Sequence, residues 1–80
     1  MEREKIMNTI VKNLKLNVDG LEDVEIDPSK SIIEYGASSL DNLEIVSATM
    51  RELQIQVPRT AISNVKNINE LVDWFAKTKS

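Results

Sequence analysis

Eighty residues without a cysteine or a histidine leave room for one domain, since chains spend roughly 100 to 200 residues on each. They also remove disulfides, soft metal sites, a cysteine nucleophile and the usual general base at neutral pH. A chain this short buries only about 60% of the surface that it exposes when unfolded, which argues against a deep, walled active site. The formal charge of −3 is unevenly spread, with seven carboxylates against Lys30 in residues 21–50 and a slight basic excess on either side.

The charged start "MEREK" lacks the apolar segment of a signal peptide, and no apolar run approaches the roughly 18 residues that span a bilayer. The protein is therefore expected to be cytoplasmic and away from membranes. With one Trp, one Phe and one Tyr, the core must rest on Ile, Leu, Val and Met, an inventory suited to helices packed face to face. Ile6, Met7, Ile10, Val11 and Leu14 recur at steps of one, three and four, which predicts an amphipathic helix over about residues 3–16. "NVDG" (17–20) stops it, because Asn and Gly tolerate left-handed backbone and Asp favours turns.

From there to Ala37 runs a segment with no sustained period, broken by Gly20, Pro28 and Gly36. Loops longer than about 12 to 15 residues are uncommon in compact domains and often functional. Leu21, Val24, Ile26, Ile32, Ile33 and Tyr35 are spaced through it, and several are expected to plug the core and hold the loop across the helices.

A second helix is predicted to begin after the serines Ser38 and Ser39 and to run to about Leu53, ended by "QVP", since Pro58 disfavours helical geometry in the residue before it. "RTAISN" (59–64) comes next as a short helix with Pro58 at its start. The last helix opens on Asn67 with Glu70 three residues on, the spacing of a capping box, and carries Ile68, Leu71, Val72 and Phe75 on one face. Lys77 and Lys79 favour the negative end of its dipole.

The adjacent serines in "YGASSLDNLE" (35–44) are the chemically suggestive feature. Ser38 suits a structural cap, its hydroxyl accepting from the backbone near Asp41 in a Ser-x-x-Asp box. Ser39 then falls in the first turn, where free backbone N–H groups favour an attached phosphate, although exposed serines near helix starts are common without modification. On a helical wheel Ile45, Val46, Thr49 and Leu53 form the core stripe and Met50 extends it, whereas Leu40 and Leu43 lie further round with Ser47 between them. Leu40 and Leu43 either form a partly exposed apolar patch beside Ser39, edged by carboxylates, or pack on the long loop. The acidic middle repels nucleic acid and attracts basic protein patches, or simply keeps a small protein soluble.

"GASSLDNLEIV" (36–46), "LQIQVP" (53–58) and "NINELVDWF" (67–75) together resemble the acyl carrier protein family, whose Gly-x-Asp-Ser-Leu segment precedes the second helix. The resemblance runs in register over nearly the whole chain. It implies an all-α, four-helix bundle with three main helices, a short third helix and a long first loop, making one carrier domain over residues 1–80. It implies that Ser39 receives 4′-phosphopantetheine from coenzyme A through a separate phosphopantetheinyl transferase, and that the arm's thiol carries an acyl group as a thioester. Carried over by position, Leu40, Asp41, Leu43, Glu44 and Ser47 are the expected partner contacts. The expected partners are acyl-transferring or condensing enzymes such as a ketosynthase or acyltransferase, met by a monomer that is not itself an enzyme and holds no metal.

Two departures stand out. Ser38 replaces the family's Asp before the modified serine, and beyond Glu44 the second helix offers Arg51 and Glu52 rather than a run of carboxylates, with Arg59 opening the third helix. These point to a free-standing carrier of specialised biosynthesis, such as polyketide assembly, including an acetyl donor to an HMG-CoA-synthase-like β-branching enzyme. The alternatives are an aminoacyl, peptidyl or D-alanyl carrier using the same serine, and an unmodified helical interaction module.

Overall fold

The computed structural model describes residues 2–78, which form four α-helices: α1 (Glu2–Asn17), α2 (Ser39–Leu53), α3 (Arg59–Asn64) and α4 (Ile68–Thr78). No strand occurs among the described residues. The architecture is the predicted one, three longer helices with a short third helix and a long connection between α1 and α2.

The α1 helix places Ile6, Ile10 and Leu14 in the core at three- and four-residue steps, with Glu2 and Glu4 in its first turn and Lys15 in its last, an order that suits its dipole. It runs a residue further at each end than the predicted 3–16. The Asn17 side chain donates to the Asn13 carbonyl at 2.8 Å, and Gly20 then takes the left-handed backbone at φ 88°. Asn13 is buried too, a polar position outside the hydrophobic pattern. Its Nδ2 donates to Thr49 Oγ1 at 3.1 Å and that hydroxyl donates to the Ile45 carbonyl at 2.8 Å, so both groups are satisfied as buried polar groups must be.

The connection is pinned by both side chains and backbone. Leu21 and Ile32 are core residues and Ile26 and Tyr35 pack against the core, whereas Val24 and Ile33 are exposed. The core expectation therefore holds for four of the six apolar residues. The backbone N–H groups of Ile68 and Asn69, unpaired inside α4 because they open it, donate to the carbonyls of Lys30 and Pro28, each at 3.0 Å. The segment also contains a turn of 3-10 helix, Ile33–Tyr35, too short to leave a period in the sequence. Asp27 closes a small turn, and the backbone N–H and hydroxyl of Ser29 hold its carboxyl below the usual range.

The end of α2 has a different cause from the expected one. Gln54 caps it at φ 55°, ψ 40°, its N–H donating to the Met50 carbonyl. The stop is thus a left-handed turn, four residues before Pro58. Ile55 and Val57 then turn inward to the core. Pro58 precedes α3 in extended geometry, and α3 has no side-chain cap. At α4, Asn67 Oδ1 accepts from Glu70 N–H at 2.8 Å, but the Glu70 carboxylate reaches back to Lys66 N–H at 2.9 Å instead of closing the predicted box on Asn67. Lys77 lies in the last turn, over the Trp74 ring; Lys79 lies outside the described residues. Phe75, Leu71 and Val72 complete the core on α4, which packs against α1 and, more lightly, α3.

Candidate functional site

The start of α2 is built by a reciprocal cap. Ser38, extended at φ −75°, ψ 173°, accepts from Asp41 N–H through its hydroxyl, and the Asp41 carboxylate accepts from Ser38 N–H, both at 3.1 Å. Just upstream, Gly36 turns the chain at φ 99°, a region that L side chains avoid. Ala37 is buried, so the chain is anchored immediately before the serines.

Ser39 is the first residue of α2 and is exposed. Its hydroxyl makes no hydrogen bond among the described residues, unlike that of Ser38. The backbone N–H groups of Ser39 and Leu40 are likewise without partners there, as first-turn donors commonly are, so an anion at this hydroxyl meets positive potential.

Ser39 also lines an open groove of about 420 Å³ between α2 and α3, floored by the connection and the start of α4. Asn42 and Leu43 line it from α2, and Arg59, Ile62 and Ser63 from α3. Arg59 is the sole charged residue in this lining. The sequence singled out Arg59 as a departure but gave no sign that it shares a groove with Ser39, which only the packing of α3 creates. Asn42 carried no signal in the sequence that would have marked it.

The other predicted site residues divide by face. Leu40 is 76% exposed and Leu43 39%, in line with the reading of an exposed apolar patch; Leu43 also borders the groove that Ile32 and Ile33 of the connection line. Asp41 and Ser47 are half-buried, and Asp41 is engaged by the cap. Glu44 is exposed and paired with Arg51 at 3.7 Å. Leu40, Asp41, Glu44 and Ser47 do not line the groove. Glu52 belongs to neither surface, because it pairs with Lys12 of α1. That hydrogen bond holds its carboxyl below the usual range.

Among the described residues no group of three or more carboxylate, His or Cys side chains could hold a metal ion, and no helix is long and apolar enough to cross a membrane.

Residues 4–75 match the family model of the phosphopantetheine attachment site. Over 73 residues the chain is 30% identical to the polyketide biosynthesis acyl-carrier-protein AcpK of Bacillus subtilis (strain 168), covering 91% of this chain and 89% of that protein. Over 61 residues it is 34% identical to an acyl carrier protein of Cyanidioschyzon merolae (strain NIES-3377 / 10D), covering 75% and 67% of the two chains. In structure it is similar, with a TM-score of 0.86 and 32% identity, to a chain in the crystal structure of the curacin biosynthetic pathway HMG synthase in complex with acetyl donor-ACP, covering 96% of this chain and 99% of that one. The chain belongs to the acyl carrier protein family, and its cofactor is phosphopantetheine.

The residues present fit that group. An exposed, unengaged hydroxyl at a helix start suits a phosphodiester, and the groove beside it mixes polar Asn42 and Ser63 with apolar Leu43 and Ile62, as a chain of amides and methyl groups requires.

Proposed function

We propose that Ser39 is the attachment residue and that the chain carries an acyl group for partner enzymes in polyketide-type biosynthesis. The observation that carries this reading is the division of labour between the serines: the Ser38 hydroxyl is spent on the cap, while that of Ser39 is exposed and free. A phosphopantetheinyl transferase would load the chain. Ser39 Oγ would bond to phosphorus and give up its proton to a base of the transferase, while the P–O bond to the nucleotide half of coenzyme A would break and that half would leave with its own terminal phosphate. When bound, the group supplies a terminal thiol that holds acyl cargo as a thioester, which a chain without cysteine cannot supply itself.

The chain's own residues position the hydroxyl and present a docking surface. Leu40 and Leu43 give that surface an apolar centre, Asp41 and Glu44 its carboxylates, and Ser47 its edge. Two similarities support polyketide assembly and an acetyl-donor role towards an HMG-synthase-like enzyme: AcpK over most of both chains and the chain from the complex of HMG synthase with acetyl donor-ACP. We further propose a monomeric, single-domain carrier without catalytic activity of its own.

Intact mass spectrometry after incubation with coenzyme A and a broad-specificity transferase tests the attachment. The wild type and Ser38→Ala should each gain one phosphopantetheine and Ser39→Ala none; loading of Ser39→Ala would refute the assignment. Transfer of acetyl from the loaded chain to an HMG-synthase-like enzyme, weakened by Leu40→Ala, tests the role.

A further inference from the structure

We propose that Arg59 holds the phosphodiester of the arm at the rim of the α2–α3 groove, so that the arm lies along the groove between encounters with partners. This rests on Ser39 being the attachment residue.

Arg59 and Ser39 line the same groove from α3 and α2, and no carboxylate lines it with them. The other two arginines are matched within the chain, Arg3 by Asp73 and Arg51 by Glu44. The Arg59 guanidinium has neither an ion pair nor a hydrogen bond among the described residues. A cation in a groove without carboxylates receives its anion from whatever enters the groove. A phosphodiester on Ser39 Oγ brings a negative charge into that groove, and its two free oxygens match the planar fork of a guanidinium, which an ammonium engages only as a point charge.

The rest of the lining suits the pantetheine beyond the phosphate. Asn42, whose side-chain amide is also without a partner among the described residues, and Ser63 offer polar groups to the amides and hydroxyl of pantetheine, while Leu43 and Ile62 offer apolar contact to its methyl groups. The anchor at Arg59 is exposed, so salt should loosen it within the screening range of about 10 Å at 0.1 M ionic strength. A partner that presents its own anion to Arg59 would release the arm.

The test uses the full chain loaded with phosphopantetheine, checked first by intact mass. On loading, the Arg59 Nε–Hε resonance should shift and exchange more slowly with water, while that of Arg51 stays in place. The phosphorus resonance of the loaded wild type should differ from that of loaded Arg59→Gln and move towards it as salt is raised. Loaded Arg59→Lys, which keeps the charge and loses the fork, should give an intermediate position. An Arg59 resonance indifferent to loading, with a phosphorus resonance identical in wild type and Arg59→Gln, overturns the proposal. A chain that gains no mass at Ser39 overturns the attachment reading instead, so the two failures are distinct.

Discussion

Ser38 and Asp41 exchange hydrogen bonds, hydroxyl to backbone and carboxylate to backbone, both at 3.1 Å. Because the pair flanks Ser39, it fixes the first turn of α2 without using the hydroxyl of the residue between. The cap and the free hydroxyl thus lie on different side chains, which makes them separable by substitution.

Ser38→Ala should lower stability by about 0.5–2 kcal/mol, the usual loss for a removed cap, while phosphopantetheine loading persists. Ser39→Ala should change stability by no more than about 0.5 kcal/mol, as for an exposed substitution away from caps and core, and abolish loading. Urea unfolding and intact mass on both variants check the pair; a larger stability loss in Ser39→Ala than in Ser38→Ala contradicts the division of roles.

Thr49→Val removes the oxygen that accepts from buried Asn13. The Asn13 side chain keeps its hydrogen bond to the Glu52 carboxylate, so the loss should be that of one hydrogen bond, about 0.5–1.5 kcal/mol. The double variant Asn13→Leu, Thr49→Val removes both partners, so its loss should be smaller than the sum of the two single losses. Additive losses in urea unfolding would show that the two groups are not coupled.

Gln54 holds left-handed backbone at φ 55°, which costs an L side chain roughly 1–2 kcal/mol. Gln54→Gly should relieve this, offset in part by the greater freedom of glycine in the unfolded chain, for a net gain of about 0.5 kcal/mol in denaturant unfolding. A loss of stability would mean that the Gln54 side chain contributes more than its backbone geometry costs.

The Glu52 carboxyl is lowered from its ordinary value of 4.5, chiefly by its hydrogen bond to Lys12. A lowered folded value gives stability that is fully present above the unfolded value and is lost as pH falls through the folded one. The pair is exposed, so the contribution is small. Stability of the wild type should fall more steeply below pH 4.5 than that of Glu52→Gln, in thermal melts across this range at low salt. Parallel pH profiles would remove Glu52 from the acid response.

The carrier identity and the serine pair were legible in the residues because they are local. A helix's apolar stripe, a Ser-x-x-Asp cap and a recognisable serine segment each lie within a few turns of chain. Even the lack of a period in the α1–α2 connection announced a segment that needed anchoring. Its anchors were not legible, because the bonds from Ile68 and Asn69 to Lys30 and Pro28 join backbone groups far apart in the chain, and backbone carries no sequence signature. Buried Asn13 was missed for a related reason: a polar residue signals burial only through its partner, here 36 positions away on α2.

By itself the sequence determined the helices, most of their core faces and the residue whose hydroxyl is free. Spacing along a helix fixes which side chains share a face, and a cap needs only its own neighbours. Tertiary structure alone decided that α2 ends on the left-handed turn at Gln54, that Leu43 borders the groove while Leu40 stands clear, and that Arg59 joins Ser39 in one groove. These depend on how α3 and the connection close around α2 and α4, a relation between distant segments that no local pattern encodes.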